Sequence, residues 1–287
     1  MTNPCSNCPR TTRARNTPAG AGARHYVTVD AALCQGLRQL AKTSGATLFT
    51  VLLSAFNVLL YRLSGQTDLR VGVPVANRTR VETEGLIGCF INTLVMRCEV
   101  NGRQPFSELL ANVNETRRKA LEYQELPFER LVQALEPERH LSHSPLFQVM
   151  FNLIDDQAPR RLQLPGLQIE EIEREQMTAH YDLVLNVVER NDQLEVCFTY
   201  NSDLFDHATI VGHGRSFGTL LQGLVHAPLQ HIGQLPIRSA QAQQQVLADC
   251  QVSLALAPLP ELVHLRLAAQ AAPNPRQHAL IHDEQQW

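Results

Sequence analysis

Residues 47–63, TLFTVLLSAFNVLLYRL, constrain this chain more than any other stretch. Leu48, Phe49, Val51, Leu52, Leu53, Phe56, Val58, Leu59 and Leu60 leave almost no face of a helix polar. A helix that is apolar all round has no side to turn to water, so it lies inside a core. Thr50, Ser54 and Asn57 interrupt the segment and Arg62 stops it. It is therefore too short to cross a bilayer, which takes about 20 apolar residues. Thr47 opens the helix and Ser64-Gly65 ends it, because glycine adopts the left-handed turn that closes a helix. The rest of the chain has to supply elements that cover this one.

Periodicity indicates which elements those are. His25–Val29 alternates as a strand, and Ala31–Lys42 places Leu33, Leu37 and Leu40 at helical spacing before a break at Ser44-Gly45. Leu69–Ala76 is a strand rich in valine, in which Gly72 and Pro74 indicate an edge, a bulge or a close approach of another group to the backbone. Gly85–Arg97, GLIGCFINTLVMR, reads as a tight turn at Gly88 and then a buried strand that continues to about Val100. Its Asn92-Thr93 pair interrupts an apolar run, and a buried amide needs hydrogen-bond partners. Phe106–Tyr123 is an amphipathic helix with Leu109, Leu110, Val113 and Leu121 on one side. Its Arg117-Arg118-Lys119 run suits a solvated face near the negative end of the helix dipole. Pro127 fits the first turn of a helix over Phe128–Leu135.

Arg139–Pro145 is a polar loop. Strands are expected at Leu146–Ile154, Leu167–Ile172, Tyr181–Glu189 and Leu194–Tyr200, with Asn191-Asp192 turning between the last two. Asp206 is placed to cap a helix that runs to about Val225. Residues 226–238 form a loop, and the Gln- and Ala-rich remainder holds one helical pattern, Leu259–Ala269. The order is that of a mixed α/β fold with long-range strand pairing.

A net charge of −3 leaves no basic excess for nucleic acid or an anionic membrane surface, so neither is expected as a partner. The seven cysteines are scattered, and the Cys5/Cys8 pair has no second close pair to complete a zinc site. Reduced thiols and a cytoplasmic location are the expectation. Residues 1–23 have arginines but no apolar core after them, so they read as a disordered arm and not a signal peptide. No Gly-x-Ser-x-Gly elbow, phosphate loop or His-Glu-x-x-His occurs. His140 and His143 share a loop, and Asp182 opens an apolar strand. An exposed loop and a structural hydrogen bond account for them better than catalysis.

Several segments together resemble one family: VGVPVANR (71–78), IGCFINTLVMR (87–97), YQELPFERLV (123–132), RHLSHSPLFQVMF (139–151), YDLVLNV (181–187) and YNSDLFD (200–206). In this order and spacing they are similar to the C-terminal half of condensation domains of non-ribosomal peptide synthetases, over residues 24–238. Residues 239–261 are then a linker, and residues 262–287 look like the truncated start of an adenylation domain. The resemblance implies a chloramphenicol-acetyltransferase-like lobe, a mixed sheet flanked by helices, which is the C-terminal lobe of a two-lobe domain. It implies peptide-bond formation between aminoacyl or peptidyl groups in a tunnel between the lobes. No cofactor is bound directly; phosphopantetheine arrives on partner carrier domains. The N-terminal condensation lobe and an adenylation domain are the other implied partners.

The family's His-His-x-x-x-Asp-Gly motif is absent, since the chain has no His-His pair. No catalytic residue carries over, and the chain alone is expected to be inactive. What the resemblance carries over as substrate-binding positions is Asn92, Arg78, Arg97, Phe128, Arg139 and Ser142, with Asn92 orienting a carbonyl or amine by hydrogen bonds. Leu-Pro-Phe-Glu at 126–129 resembles the condensation branch. A carrier-docking module without catalysis, or an epimerisation-type relative, is the alternative.

Overall fold

The computed structural model describes residues 20–135, 144–155, 167, 177–190, 192–250, 263–273, 275, 281–282 and 285–286. The chain divides into two compact units, residues 1–239 and 240–287.

The first unit is a seven-stranded mixed sheet with four of its helices packed on one face. Its elements are β1 (Gly20–Val29), α1 (Ala31–Thr43), α2 (Leu48–Ser64), β2 (Asp68–Val75), α3 (Val81–Glu84), β3 (Asn92–Glu99), α4 (Phe106–Glu122), α5 (Phe128–Leu135), β4 (Val149–Asp155), β5 (Met177–Ala179), β6 (Leu183–Arg190), β7 (Gln193–Asn201) and α6 (His207–His226). The strand order is β3-β2-β4-β6-β7-β1-β5, parallel at β2/β4 and β4/β6 and antiparallel elsewhere.

Helix α2 is the buried centre that its sequence requires. Every residue from Thr50 to Leu60 is buried. The polar ones turn back on their own helix: Ser54 Oγ donates to the Thr50 carbonyl at 2.7 Å and Asn57 Nδ2 to the Leu53 carbonyl at 3.0 Å. Thr47 caps the start by accepting from the Thr50 N–H, and Gly65 closes the end at φ 72°. Arg62 leaves the core by donating to the carbonyls of Ile232 and Leu235 at 3.1 and 2.7 Å. Phe151 of β4 packs on Phe49 and Phe56 of α2, and Phe198 of β7 on Phe217 of α6.

Gly72 shows why β2 tolerates a glycine. A Cβ there would lie 2.3 Å from Phe147 Cε2, and Phe147 is fully buried. Of the readings open in the sequence, the close approach is the one realised. Pro74 lies beyond Val71 and Gly72, the residues of β2 that pair with β4, so its missing N–H breaks no bond to that neighbour.

Several boundaries differ from expectation. β1 begins at Gly20, ahead of His25, because Gly20–Gly22 pair with β5. The part of the 1–23 arm that is described is thus strand. Asp206 holds the N-cap position of α6 without a side-chain bond to the helix amides. The expected strand 167–172 falls outside the described residues except for Leu167, and the short β5 follows later. In the second unit, α7 (Ala240–Cys250) lies in a stretch too polar to show a buried stripe, and α8 spans Val263–Ala271.

Candidate functional site

The expected buried run after Gly88 is the largest departure from the sequence reading. Strand β3 starts only at Asn92, and Cys89 and Ile91 are exposed. The segment between β2 and β3 is instead a loop folded on Arg78. Asn77 turns the chain at φ 51°, a left-handed conformation that asparagine tolerates better than most residues. The Arg78 guanidinium then donates to the carbonyls of Thr83 and Gly88 and lies 4.3 Å from the centre of the Phe90 ring. Its charge and planar donors hold a loop that has no core of its own.

Asn92 joins that loop to the connector between α4 and α5. Its Nδ2 donates to the carbonyls of Gln124 and Leu126 at 2.8 and 2.7 Å, and its Oδ1 accepts from the Phe128 N–H at 3.1 Å. Both amide hydrogens are committed to backbone. Asn92, expected from the sequence to orient a carbonyl or amine, here holds the 124–128 connector. Thr79 Oγ1 adds a bond to Glu125 Oε1 at 3.0 Å. The two loops present an apolar rim: Val81, Leu86, Ile87, Ile91, Tyr123 and Leu126 are all at least half exposed, with Ile87 fully so. Six exposed apolar side chains on two joined segments mark a binding surface more often than a single exposed leucine does.

Phe128 extends the site inward. Its ring lies 5.5 Å from that of Phe147, which stacks on Tyr181 at 5.4 Å and 23°. Burial raises the Tyr181 hydroxyl above its usual range. Gln148 follows Phe147 and is almost completely buried. Its Nε2 donates to the Ser144 carbonyl at 2.9 Å, while its Oε1 has no partner among the described residues. The Gln148 carbonyl accepts from the N–H of buried Asp182 at 3.0 Å. Neither Phe147 nor Gln148 stands out in the sequence, because each looks like an ordinary strand opener.

Of the other expected positions, Arg97 does not join this cluster. Arg97 projects from β3 with the opposite parity to Asn92, is 60% exposed, and pairs with Asp68 at 2.8 Å and Glu99 at 3.1 Å. Arg139, Ser142, His140 and His143 lie outside the described residues. A second polar cluster, unmarked in the sequence, joins β1, β7 and α6: the Tyr200 hydroxyl is 3.0 Å from His207 Nδ1, and His25 meets His207 edge-on at 5.6 Å. Burial, the neighbouring His207 and Arg215 lower the pKa of His25, and burial alone lowers that of His213. Burial raises the thiols of Cys34 and Cys197 and pushes that of Cys98 up to about 12. These cysteines are kept away from the thiolate form that a nucleophile needs. The geometry holds loops in place and offers an apolar rim; it is a positioning surface.

Comparison with known proteins gives the family of the chain. The condensation domain family model matches residues 4–247, which takes in most of the expected arm and runs past residue 238. A linear gramicidin synthase of Brevibacillus parabrevis is 43% identical over 265 residues, covering 92% of this chain and 3% of the relative. The chain therefore spans a small fraction of the curated relatives it matches. Among solved structures, a four-domain nonribosomal peptide synthetase bound to AMP and glycine aligns with a TM-score of 0.71 and 25% identity, over 82% of this chain and 19% of that one. The X-domain from teicoplanin biosynthesis aligns with a TM-score of 0.73 and 26% identity, over 80% of this chain and 53% of that one. The same X-domain in complex with OxyB aligns equally well. With its chloramphenicol-acetyltransferase-like arrangement of sheet and helices, the chain belongs to the condensation domain family of non-ribosomal peptide synthetases.

Proposed function

We propose that this chain acts as the C-terminal lobe of a condensation domain. It forms a peptide bond only together with an N-terminal lobe that carries His-His-x-x-x-Asp-Gly. In that reaction the acceptor amine attacks the donor thioester carbonyl. A C–N bond forms, the C–S bond breaks, and the donor's phosphopantetheine leaves as a thiol while the amine loses its proton. The thioesters come on carrier domains, so phosphopantetheine belongs to the partners. This chain contributes position: Asn92 fixes the 124–128 connector, and Phe128, Phe147 and Tyr181 back it with a packed aromatic wall. Holding reacting groups in register is itself worth several kcal/mol of barrier.

The observation that carries this reading is the Asn92 clamp beneath an exposed apolar rim, on the segments that resemble the family's motifs. A rim of this composition fits a second lobe. Residues 262–287 fit the start of an adenylation domain, and a cytoplasmic location fits the reduced thiols.

The test is reconstitution. The chain is mixed with a separately made N-terminal condensation lobe and two loaded carriers, and the acceptor carrier is analysed by mass spectrometry. Peptidyl transfer is expected only with both lobes present. Transfer by this chain alone defeats the two-lobe requirement, and failure of the lobes to associate defeats the reading itself. A second reading, a docking module without catalysis, draws support from the likeness to the teicoplanin X-domain, which has been solved with OxyB. Association with carriers but no transfer in the reconstituted system would favour it.

A further inference from the structure

A glycine of β2 seats the aromatic wall. Val71 and Val73 belong to the core under the helices, so Gly72 between them faces the other side of the sheet. The register sets it between Val95 of β3 and Met150 of β4, both half-buried. The middle of that row has no side chain. The ring of Phe147 lies over it instead: a Cβ on Gly72 would come within 2.3 Å of Phe147 Cε2, 2.5 Å of Cζ and 2.8 Å of Cδ2. Carbon atoms in contact stay about 3.5 Å or more apart, so any side chain at 72 displaces the ring. An aromatic ring laid over a strand glycine supplies the packing that the glycine lacks.

Phe147 has little room to yield. It is fully buried, with Phe128 at 5.5 Å and Tyr181 stacked on it at 5.4 Å. The backbone beside it is held as well: Gln148 Nε2 donates to the Ser144 carbonyl at 2.9 Å, and the Gln148 carbonyl accepts from the Asp182 N–H at 3.0 Å. A close-packed interior passes a displacement on instead of absorbing it. A shift of Phe147 therefore reaches Phe128, whose N–H is bonded to Asn92 Oδ1, and Tyr181, which leads into β6. Segments far apart in the chain meet on this one ring: β2, the start of α5, and the residues just before β4 and β6.

We propose that Gly72 is a positioning residue for peptidyl transfer: its missing side chain seats Phe147, and Phe147 sets where Phe128 and Tyr181 stand. This rests on the function proposed above, in which those rings back the 124–128 connector. Gly72 carries no side chain that could touch a substrate, and it acts through Phe147.

The experiment compares the full chain with Gly72→Ala, Phe147→Leu and the double variant, each mixed with an N-terminal condensation lobe and two loaded carriers. Transfer is read as kcat at saturating carrier, per folded chain, and the ring signals of Phe128 and Tyr181 are followed by NMR. Gly72→Ala is expected to move both ring signals and to lower kcat about tenfold, with the carrier KM little changed. Leucine lacks Cε2 and Cζ, two of the atoms that the new Cβ would meet, so the double variant is expected to recover to the level of Phe147→Leu alone. A merely structural role for Gly72 would lower the urea midpoint and leave kcat per folded chain unchanged. If Gly72→Ala fails to fold, Phe147→Leu carries the test, because it empties the seat instead of crowding it. Moved ring signals with a lower kcat then support the proposal, and wild-type values of either overturn it. Wild-type kcat in Gly72→Ala, ring signals that stay in place, or additive losses in the double variant overturn the proposal and leave the condensation reading intact. An absence of transfer by the wild-type chain with its N-terminal lobe overturns the function proposed above, and this inference with it.

Discussion

The two faces of the seven-stranded sheet are built on different terms. On the helix side, Phe151 and Phe198 pack into α2 and α6, and the side chains there are almost all buried and apolar. On the other side and along the loop rim, position is held by an amide and a guanidinium: Asn92 on three backbone groups and Arg78 on two carbonyls. Burial stabilises without direction, whereas hydrogen bonds to backbone fix where a loop lies. The first face keeps the lobe folded, and the second gives it a shaped surface.

The sharpest way to separate the two is to remove mass from the helix side. Phe56 is fully buried within α2 and packs against Phe151. Phe56→Ala is expected to cost about 4 kcal/mol, from lost burial and the cavity left behind. Urea unfolding of the whole chain measures it. A loss under about 1 kcal/mol would mean that α2 is not the keystone its sequence implies.

Asn92→Ala attacks the other side. It strands two carbonyls and one N–H, and the expected loss is about 2 kcal/mol, because each freed group reaches water more easily than a core atom does. The effect should be local. Hydrogen exchange at Phe128 and through 124–128 should accelerate while the core amides of α2 stay protected. A uniform rise in exchange would erase the distinction between the two regions.

How much of this was legible in the sequence follows the same division. Helix α2, its caps at Thr47 and Gly65, and the helices α1, α4 and α6 were readable because apolar spacing and turn residues report burial directly. The 85–91 segment was misread for the same reason: Leu86, Ile87 and Ile91 look like core, yet they form the exposed rim. Periodicity cannot tell an apolar residue that faces the core from one that faces a partner. Asn92 was singled out by its polarity within an apolar run, but its partners are backbone groups at 124–128, and nothing local in a sequence names those. The pairing of Asn152 with Asn186 needs the parallel register of β4 and β6, which brings together residues far apart in the chain.

A smaller effect comes from the helix side under acid. His213 is buried on α6, and its Nδ1 has no partner among the described residues. Burial lowers its pKa from the usual 6.5, so the unfolded chain binds the proton more readily than the folded one. This part of the stability is complete above pH 6.5 and is lost as pH falls from there through the folded-state value. His213→Leu should flatten the stability profile across that window and leave it little changed at about pH 8, as read by thermal melts. His25, lowered in part by His207 and Arg215, keeps some slope in the variant. An unchanged slope in His213→Leu would show that its imidazole takes up a proton as readily in the fold as in the unfolded chain.

Arg97 sets the floor of the comparison. It ends one of the segments that resemble the family's motifs, yet it stands on β3 facing away from Asn92 and is 60% exposed. Its partners, Asp68 and Glu99, are themselves in contact with water, and ion pairs of that kind contribute little, because solvent screens them and ordering two long side chains costs entropy. Arg97→Ala should leave the urea midpoint within experimental error and leave peptidyl transfer in the reconstituted two-lobe system unchanged. Loss of transfer with unchanged stability would place Arg97 at the surface where a carrier or the other lobe binds. The division between a folding face and a shaped face would then extend round the β3 edge, and sequence resemblance would have located a residue that the isolated lobe shows only as a solvated ion pair.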